Sequence, residues 1–214
     1  MENWLESYWH YVFVIIVQTL FGARNFIQWI MSEKAKKVVS PVIFWQLSLI
    51  ASFLYLIYGW LRADFAIILG QLLSYYIYIW NLNILNQWKK INKILRIIAW
   101  FMPVVVVCLM AVSGKGDVSR LWTDISFGLL LFGSLGQVIF SCRFIYQWLY
   151  SRRLKKSILP DGFWILSIIG SISILIYGII RMEPMLIVGH SANFITYSRN
   201  LYLNRKNEST QKTI

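Results

Sequence analysis

Charge is scarce in this chain of 214 residues: Asp, Glu, Lys and Arg make up 14% of it, against ~25% in an ordinary soluble domain. Cysteine is nearly absent. Cys108 and Cys142 both lie in apolar runs, which excludes a disulfide framework or a cysteine-based zinc site. Nine acidic residues stand against 21 basic ones, and the only histidines are His10 and His190. His190 has no second ligand at metal-binding spacing. No Ser-His-Asp set and no nucleotide-binding loop occurs, so no catalytic residue, metal or cofactor is expected. Disorder is excluded too, because 11 Trp, 12 Tyr and 13 Phe exceed what a disordered polymer carries.

What the chain does contain is apolar length. Hydrophobic residues make up 58% of it and its mean hydropathy is +0.58. The runs Tyr11–Phe21, Phe44–Leu61, Phe65–Leu85 and Ile94–Val112 approach or reach the ~20 residues that cross a bilayer core. The expected fold is an all-α membrane protein with seven transmembrane helices, at 9–31, 40–61, 64–85, 94–112, 123–150, 160–180 and 184–203. The net charge of +12 gathers in short clusters between these runs, a pattern that positive-inside sorting explains without nucleic acid. Lys34, Lys36 and Lys37 follow the first helix. Lys89, Lys90, Lys93 and Arg96 follow the third; Arg152, Arg153, Lys155 and Lys156 follow the fifth; Arg205, Lys206 and Lys212 lie in the tail. Together these are 14 of the 21 basic residues on one side, which puts the N-terminus outside and the C-terminus in the cytoplasm. The acidic start, Met1 to Glu6, and the lack of a small-residue cleavage site argue against a cleaved signal peptide.

The chain also repeats itself. A shift of 119 residues aligns 18–82 with 137–201 without a gap, and 25 of the 65 positions are identical. Among them are Gln18/Gln137, Arg24/Arg143, Gln28/Gln147, Trp29/Trp148, Pro41/Pro160, Trp45/Trp164, Tyr58/Tyr177, Gly70/Gly189, Tyr78/Tyr197 and Asn81/Asn200. Apolar composition alone would not align Arg, Gln, Trp, Pro and Asn together. Each copy spans three helices, so the fourth, without a counterpart, restores the direction of the second copy. The expected organisation is a first three-helix repeat at 1–86, a basic loop plus linker helix at 87–122, a second repeat at 123–203 and a cytoplasmic tail at 204–214. Two parallel repeats joined by a linker are a recurrent plan of secondary transporters, the 3+1+3 plan of the SWEET sugar transporters.

The repeated string is more specific than the layout. Arg24-Asn25-Phe26-Ile27-Gln28-Trp29-Ile30-Met31-Ser32-Glu33-Lys34, followed by Pro41, Phe44-Trp45, Ser48, Gly70-Gln71, Tyr78 and Asn81-Leu82, resembles the lipid-A-disaccharide synthase N-terminal domain family. The second copy resembles it through Arg143-Phe144, Gln147-Trp148, Ser151, Ser157, Pro160, Phe163-Trp164, Ser167 and Tyr197-Ser198-Arg199-Asn200-Leu201. The resemblance covers about 130 residues. It implies a three-helix membrane module, similar to PQ-loop and SWEET proteins, which in some bacteria is fused before the synthase, and a place in the bacterial inner membrane. The copies are not chemically equivalent: Glu33 corresponds to Arg152, Trp80 to Arg199 and Gln71 to His190. The Pro-Gln dipeptide of PQ-loop proteins is missing. The chain ends eleven residues after the seventh expected helix, so the expectation is the membrane module without the glycosyltransferase.

Arg24 and Arg143 are the leading site candidates. Each falls about seven residues, or ~10 Å, inside the cytoplasmic end of its helix, a depth at which an arginine costs ~2.5–3.5 kcal/mol and normally seeks an interior partner. The nine acids all fall in loops, tails or outermost helical turns. Three readings compete: snorkelling to the headgroups or clamping carbonyls at Pro41 and Pro160, pairing of Arg143 with Asp161, and grip on a ligand phosphate. Gln28 and Gln147 share the arginines' helical faces as added donors. Trp45 and Trp164, like Trp29 and Trp148, fit interfacial anchors or platforms for a sugar ring. Ser74 and Asn193 align at mid-helix, one turn from Gln71 and His190, where pocket lining and interhelical bonding are both open. Asn81 and Asn200 sit nearer the cytoplasmic end, as ligand contacts or caps. Gly59, Gly70, Gly178 and Gly189 fit close helix packing.

The function expected from these residues and the resemblance is movement of a lipid-linked or otherwise phosphorylated sugar across the membrane for lipid A or envelope glycolipid assembly. It would proceed by rocking of the two bundles around a cleft, with membrane lipids as surroundings. The alternative is a non-catalytic anchor or subunit for a synthase-type glycosyltransferase.

Overall fold

The computed structural model describes residues 2–61, 65–112, 127–180, 182 and 184–212. These form seven α-helices: α1 (Glu2–Ala35), α2 (Val42–Leu61), α3 (Phe65–Ile84), α4 (Lys93–Val112), α5 (Phe127–Leu154), α6 (Asp161–Ile180) and α7 (Pro184–Lys212), with one 3-10 turn at Trp88–Lys90. The described residues contain no strand and are all-α, as expected. Three helices differ from the sequence expectation, α5 by running past position 150 to Leu154. Helix α1 extends at both ends, and α7 runs on through the expected tail to Lys212, because 204–212 contains neither Gly nor Pro and is rich in Arg, Lys, Gln and Glu, which hold helix well. The first four residues of the fifth expected helix, 123–126, lie outside the described residues.

The two copies terminate their first helices alike. Lys36 and Lys155 adopt left-handed φ values of 52° and 51°. The Lys37 N–H then donates to the Ser32 carbonyl at 3.2 Å and the Lys36 N–H to that of Glu33 at 3.2 Å; Lys156 and Lys155 repeat this onto Ser151 and Arg152 at 3.2 and 3.3 Å. Such paired bonds satisfy carbonyls that a helix end leaves without partners. Helices α2 and α6 then start alike, with Pro41 and Pro160 carbonyls accepting from the Phe44 and Phe163 N–H groups at 3.1 and 3.0 Å.

Helices α2 and α6 are each long and apolar enough to cross a membrane. Beside an apolar core that includes Phe44, Leu56, Ile68 and Leu82, many polar side chains are buried and many apolar ones exposed. Arg24, Asn25, Gln28, Ser32, Ser48, Asn81, Arg143, Gln147 and Asn200 are buried, while large apolar side chains such as Ile15, Ile50, Leu95, Phe101, Leu135, Ile169 and Ile195 are exposed.

The described chain divides into two compact units: Met1–Arg24 with Trp45–Thr123, and Asn25–Phe44 with Asp124–Ile214. The division cuts α1 between Arg24 and Asn25, so the last third of that helix and its loop belong with the second copy. In the first unit, Phe13 stacks on Tyr58 and Tyr55 on Tyr58, with centroids 5.9 and 5.8 Å apart. Tyr76 donates to the Trp100 carbonyl at 3.1 Å and meets its ring edge-on at 5.0 Å, which ties α4 to α3. In the second unit, α5 and α6 approach through glycine. A Cβ on Gly170 would lie 2.8 Å from the Phe140 backbone, and one on Gly136 would lie 2.7 Å from Ser173 Cβ. Gly189, expected to serve close packing, has nothing within 4 Å of the corresponding point. The close approaches lie instead on the α5/α6 face.

Candidate functional site

Arg24 and Arg143 are each only 4% exposed, so neither reaches the surface as a snorkelling side chain would. In the first copy, Arg24 Nη1 donates to Ser48 Oγ at 2.7 Å and to Tyr78 Oη at 3.3 Å. Its guanidinium lies 4.6 Å from the Phe21 centroid and 5.7 Å from that of Tyr78. In the second copy, the guanidinium of Arg143 sits 3.3 Å from the Phe140 centroid, 4.7 Å from Phe144 and 5.8 Å from both Phe163 and Tyr197. Phe21/Phe140 and Tyr78/Tyr197 are repeat equivalents, so the same two aromatic positions cover both cations. Ring faces carry negative potential and make burial of a guanidinium tolerable. Asp161, the carboxylate expected near Arg143, is set against Arg205 Nε at 3.6 Å.

The two tryptophans are not interfacial. Trp45 is 0% and Trp164 2% exposed, and each packs at a 41° tilt on the tyrosine that also covers its copy's arginine, Tyr78 at 6.1 Å and Tyr197 at 6.0 Å. Protein covers both rings completely. They act here as core, and their planes are closed to water and to ligand alike.

Gln28 and Gln147 pin their loops. Gln28 Nε2 donates to Ser32 Oγ at 2.9 Å and to the Val39 carbonyl at 3.2 Å; Gln147 Nε2 donates to Ser151 Oγ at 2.9 Å and the Ile158 carbonyl at 3.0 Å. The serines complete the clamp by accepting from the Val39 and Ile158 N–H groups at 3.2 and 3.1 Å. The loop conformation is thus written into a Gln-x-x-x-Ser spacing, which places both side chains on one helical face.

Gln71 Oε1 accepts from Ser52 at 2.8 Å. Its counterpart His190 meets the repeat-equivalent Ser171 through Nδ1 at 2.9 Å, so the Gln-to-His change preserves a bond between the second and third helices of a copy. Ser74 contacts the Gln71 carbonyl at 3.5 Å. Asn81 and Asn200 each donate to the carbonyl four residues back, Ile77 and Thr196, both at 2.9 Å.

Sequence reasoning missed a polar seam between the end of α1 and α7. Asn25 Nδ2 donates to Asn193 Oδ1 at 2.8 Å. Gln28 and Asn200 exchange reciprocal amide bonds at 3.0 and 3.1 Å. Arg199 grips Glu33 through Nε and Nη2 at 2.5 and 3.0 Å, and Trp29 Nε1 donates to the same carboxylate at 3.0 Å. From Asn25–Asn193 to Gln28–Asn200 the contacts advance along both helices, so they run parallel here. A signal did exist: Glu33 and Arg199 are two of the positions where the copies differ in charge, and they turn out to be each other's partners. The Arg199 hydrogen bond holds the Glu33 carboxyl below the ordinary carboxylate range. Among the described residues, no three His, Cys, Asp or Glu side chains gather as a metal site.

The sequence model of the Lipid A Biosynthesis N-terminal domain family matches residues 15–83 and 132–202, the two copies of the repeat. The lipid-A-disaccharide synthase of Chlamydia pneumoniae is 28% identical over 197 residues, covering 88% of this chain and 32% of the relative. That of Chlamydia trachomatis serovar D is 27% identical over 207 residues, covering 91% and 33%, and that of Chlamydia felis is 25% identical over 201 residues, covering 88% and 32%. The chain therefore spans about a third of the length of these curated relatives. No solved structure matches it.

Proposed function

The chain belongs to the Lipid A Biosynthesis N-terminal domain family, and we propose that it moves a lipid-linked or otherwise phosphorylated sugar across the bacterial inner membrane for lipid A or related glycolipid assembly. The observation that carries the reading is the pair of buried arginines at equivalent positions of a tandem repeat. Burying a guanidinium is costly without a function or strong compensation. The acceptors of Arg24 given above, Ser48 and Tyr78, are neutral hydroxyls. A phosphate accepts from guanidinium through parallel, charge-assisted bonds roughly twice as strong as neutral ones, so it can displace them. Swinging of the Phe21 and Phe140 rings off the cations would open that route.

The membrane placement belongs to the same proposal: seven spans in a 3+1+3 order, repeats at 1–86 and 123–203 around a linker at 87–122, N-terminus periplasmic and C-terminus cytoplasmic. The many exposed apolar side chains support it, since soluble proteins rarely expose extended apolar surface. The basic loops support the orientation.

Reconstituted alone in liposomes, the purified chain is expected to scramble a polyprenyl-phosphate sugar. Arg24→Ala and Arg143→Ala should each slow this at least tenfold. Activity that never appears, or that ignores both substitutions, removes the transport reading. A second reading is favoured by the relatives: a chain matching about a third of proteins named lipid-A-disaccharide synthase fits a membrane subunit that recruits a glycosyltransferase. It predicts co-purification with such an enzyme and indifference to both arginine substitutions.

A further inference from the structure

The second copy bears a groove of about 540 Å³ between α6 and α7. Ile168 of α6 and Leu201 and Tyr202 of α7 form its apolar walls, with Ser198 at one end and Arg205 and Lys206 at the other. The α7 residues 198, 201, 202, 205 and 206 recur at helical spacing, so one stripe of α7 passes from apolar to cationic. Tyr202 is 54% exposed and carries the Arg199 guanidinium 5.3 Å from its ring centroid.

The cationic end opens onto a strongly basic part of the molecule. Asn204 Nδ2 donates to the Leu159 carbonyl at 3.3 Å, which ties the loop bearing Lys155 and Lys156 to α7 one residue before Arg205. Ser40 and Ser157 share a hydrogen bond of 2.9 Å, which joins that loop to the one bearing Lys36 and Lys37. Among the described side chains, the acids nearby are Asp161, 3.6 Å from Arg205, and Glu33, paired with Arg199, fewer than the basic residues around them. The first copy offers no equivalent. The positions 119 residues earlier hold Asn86 and Gln87, and α3 has already ended at Ile84.

We propose that this groove is a site for an anionic phospholipid of the cytoplasmic leaflet, with its headgroup phosphate at Arg205 and Lys206 and an acyl chain along Ile168, Leu201 and Tyr202. Basic residues at a membrane surface attract anionic headgroups, and an apolar groove beneath them selects a lipid over a small anion. The proposal goes beyond the transport reading and rests only on its membrane placement.

The test is thermal stabilisation of the detergent-solubilised full chain by dioleoyl-phosphatidylglycerol, with dioleoyl-phosphatidylcholine and inorganic phosphate as comparison probes. Phosphatidylglycerol alone should stabilise. Arg205→Gln with Lys206→Gln should raise its half-saturating concentration about tenfold, whereas Lys89→Gln with Lys90→Gln, an equal charge change elsewhere, should leave it unchanged. Ile168→Trp, which fills the groove without altering charge, should weaken it likewise if the variant elutes as a single species. Equal stabilisation by phosphatidylcholine, equal losses in both double variants, or competition by inorganic phosphate would each overturn the proposal. A chain recovered without detergent would overturn the membrane placement beneath it, and absent scrambling activity would leave this site standing.

Discussion

Arg199 of the second copy holds Glu33 of the first through both carboxylate oxygens, although neither charge exists at the corresponding position of the other copy. Their equivalents are Trp80 and Arg152, and Arg152 lies 5.4 Å from the Trp148 ring centroid. The pair therefore distinguishes one seam of an otherwise repeated molecule.

That pair has a pH signature. The folded-state pKa of Glu33 is depressed by Arg199, so the stabilisation it contributes is present above the unfolded value of about 4.5 and is lost as pH falls through the lower folded value. Melting temperature measured from pH 7 down to pH 3 should fall more steeply below pH 4.5 for the wild type than for Glu33→Gln. Parallel curves would show that the ion pair adds nothing.

The Gln28–Asn200 exchange is buried, with exposures of 1% and 0%, and truncation on either side strands an amide. Gln28→Ala or Asn200→Ala should each cost ~1–3 kcal/mol. Because both remove the reciprocal amide pair, the double variant should cost less than the sum. A denaturation cycle in detergent that proves additive would refute the coupling.

Arg24 separates charge from shape. Arg24→Met keeps much of the stem against Phe21 but removes the donors to Ser48 and Tyr78, and Arg24→Lys keeps the charge while losing the fork geometry. Both should lower stability by ~1–3 kcal/mol, with Met the better tolerated where desolvation of the cation dominates. Unfolding by a denaturant, followed by tryptophan fluorescence, gives the order directly.

Two glycines should respond in opposite directions. Gly170→Ala places a methyl 2.8 Å from the Phe140 backbone, and a shift of α5 against α6 should cost ~1–3 kcal/mol. Gly189→Ala meets open space within α7 and should gain ~0.5–1 kcal/mol from helix propensity. Matching losses in a thermal melt would contradict the α5/α6 packing.

Helical content, the tandem repeat and the equivalence of Arg24 and Arg143 were legible in the residues alone, because apolar runs set helix lengths and a gapless offset aligns rare polar residues. Asn25, Ser52 and Ser171 were not singled out, since a short polar side chain on an apolar helix carries no mark of which neighbour it will meet. Trp45 and Trp164 misled for a related reason: a tryptophan near a helix end has the same local pattern whether it faces lipid or core. Only packing decided that both would be enclosed against Tyr78 and Tyr197. Packing alone also decided that the end of α1 would join α7 and that two of the charge mismatches of the repeat would meet. Local pattern determines which helices form and which stripe is apolar; partner choice depends on side chains more than 160 positions apart, and that information exists only once the helices are assembled.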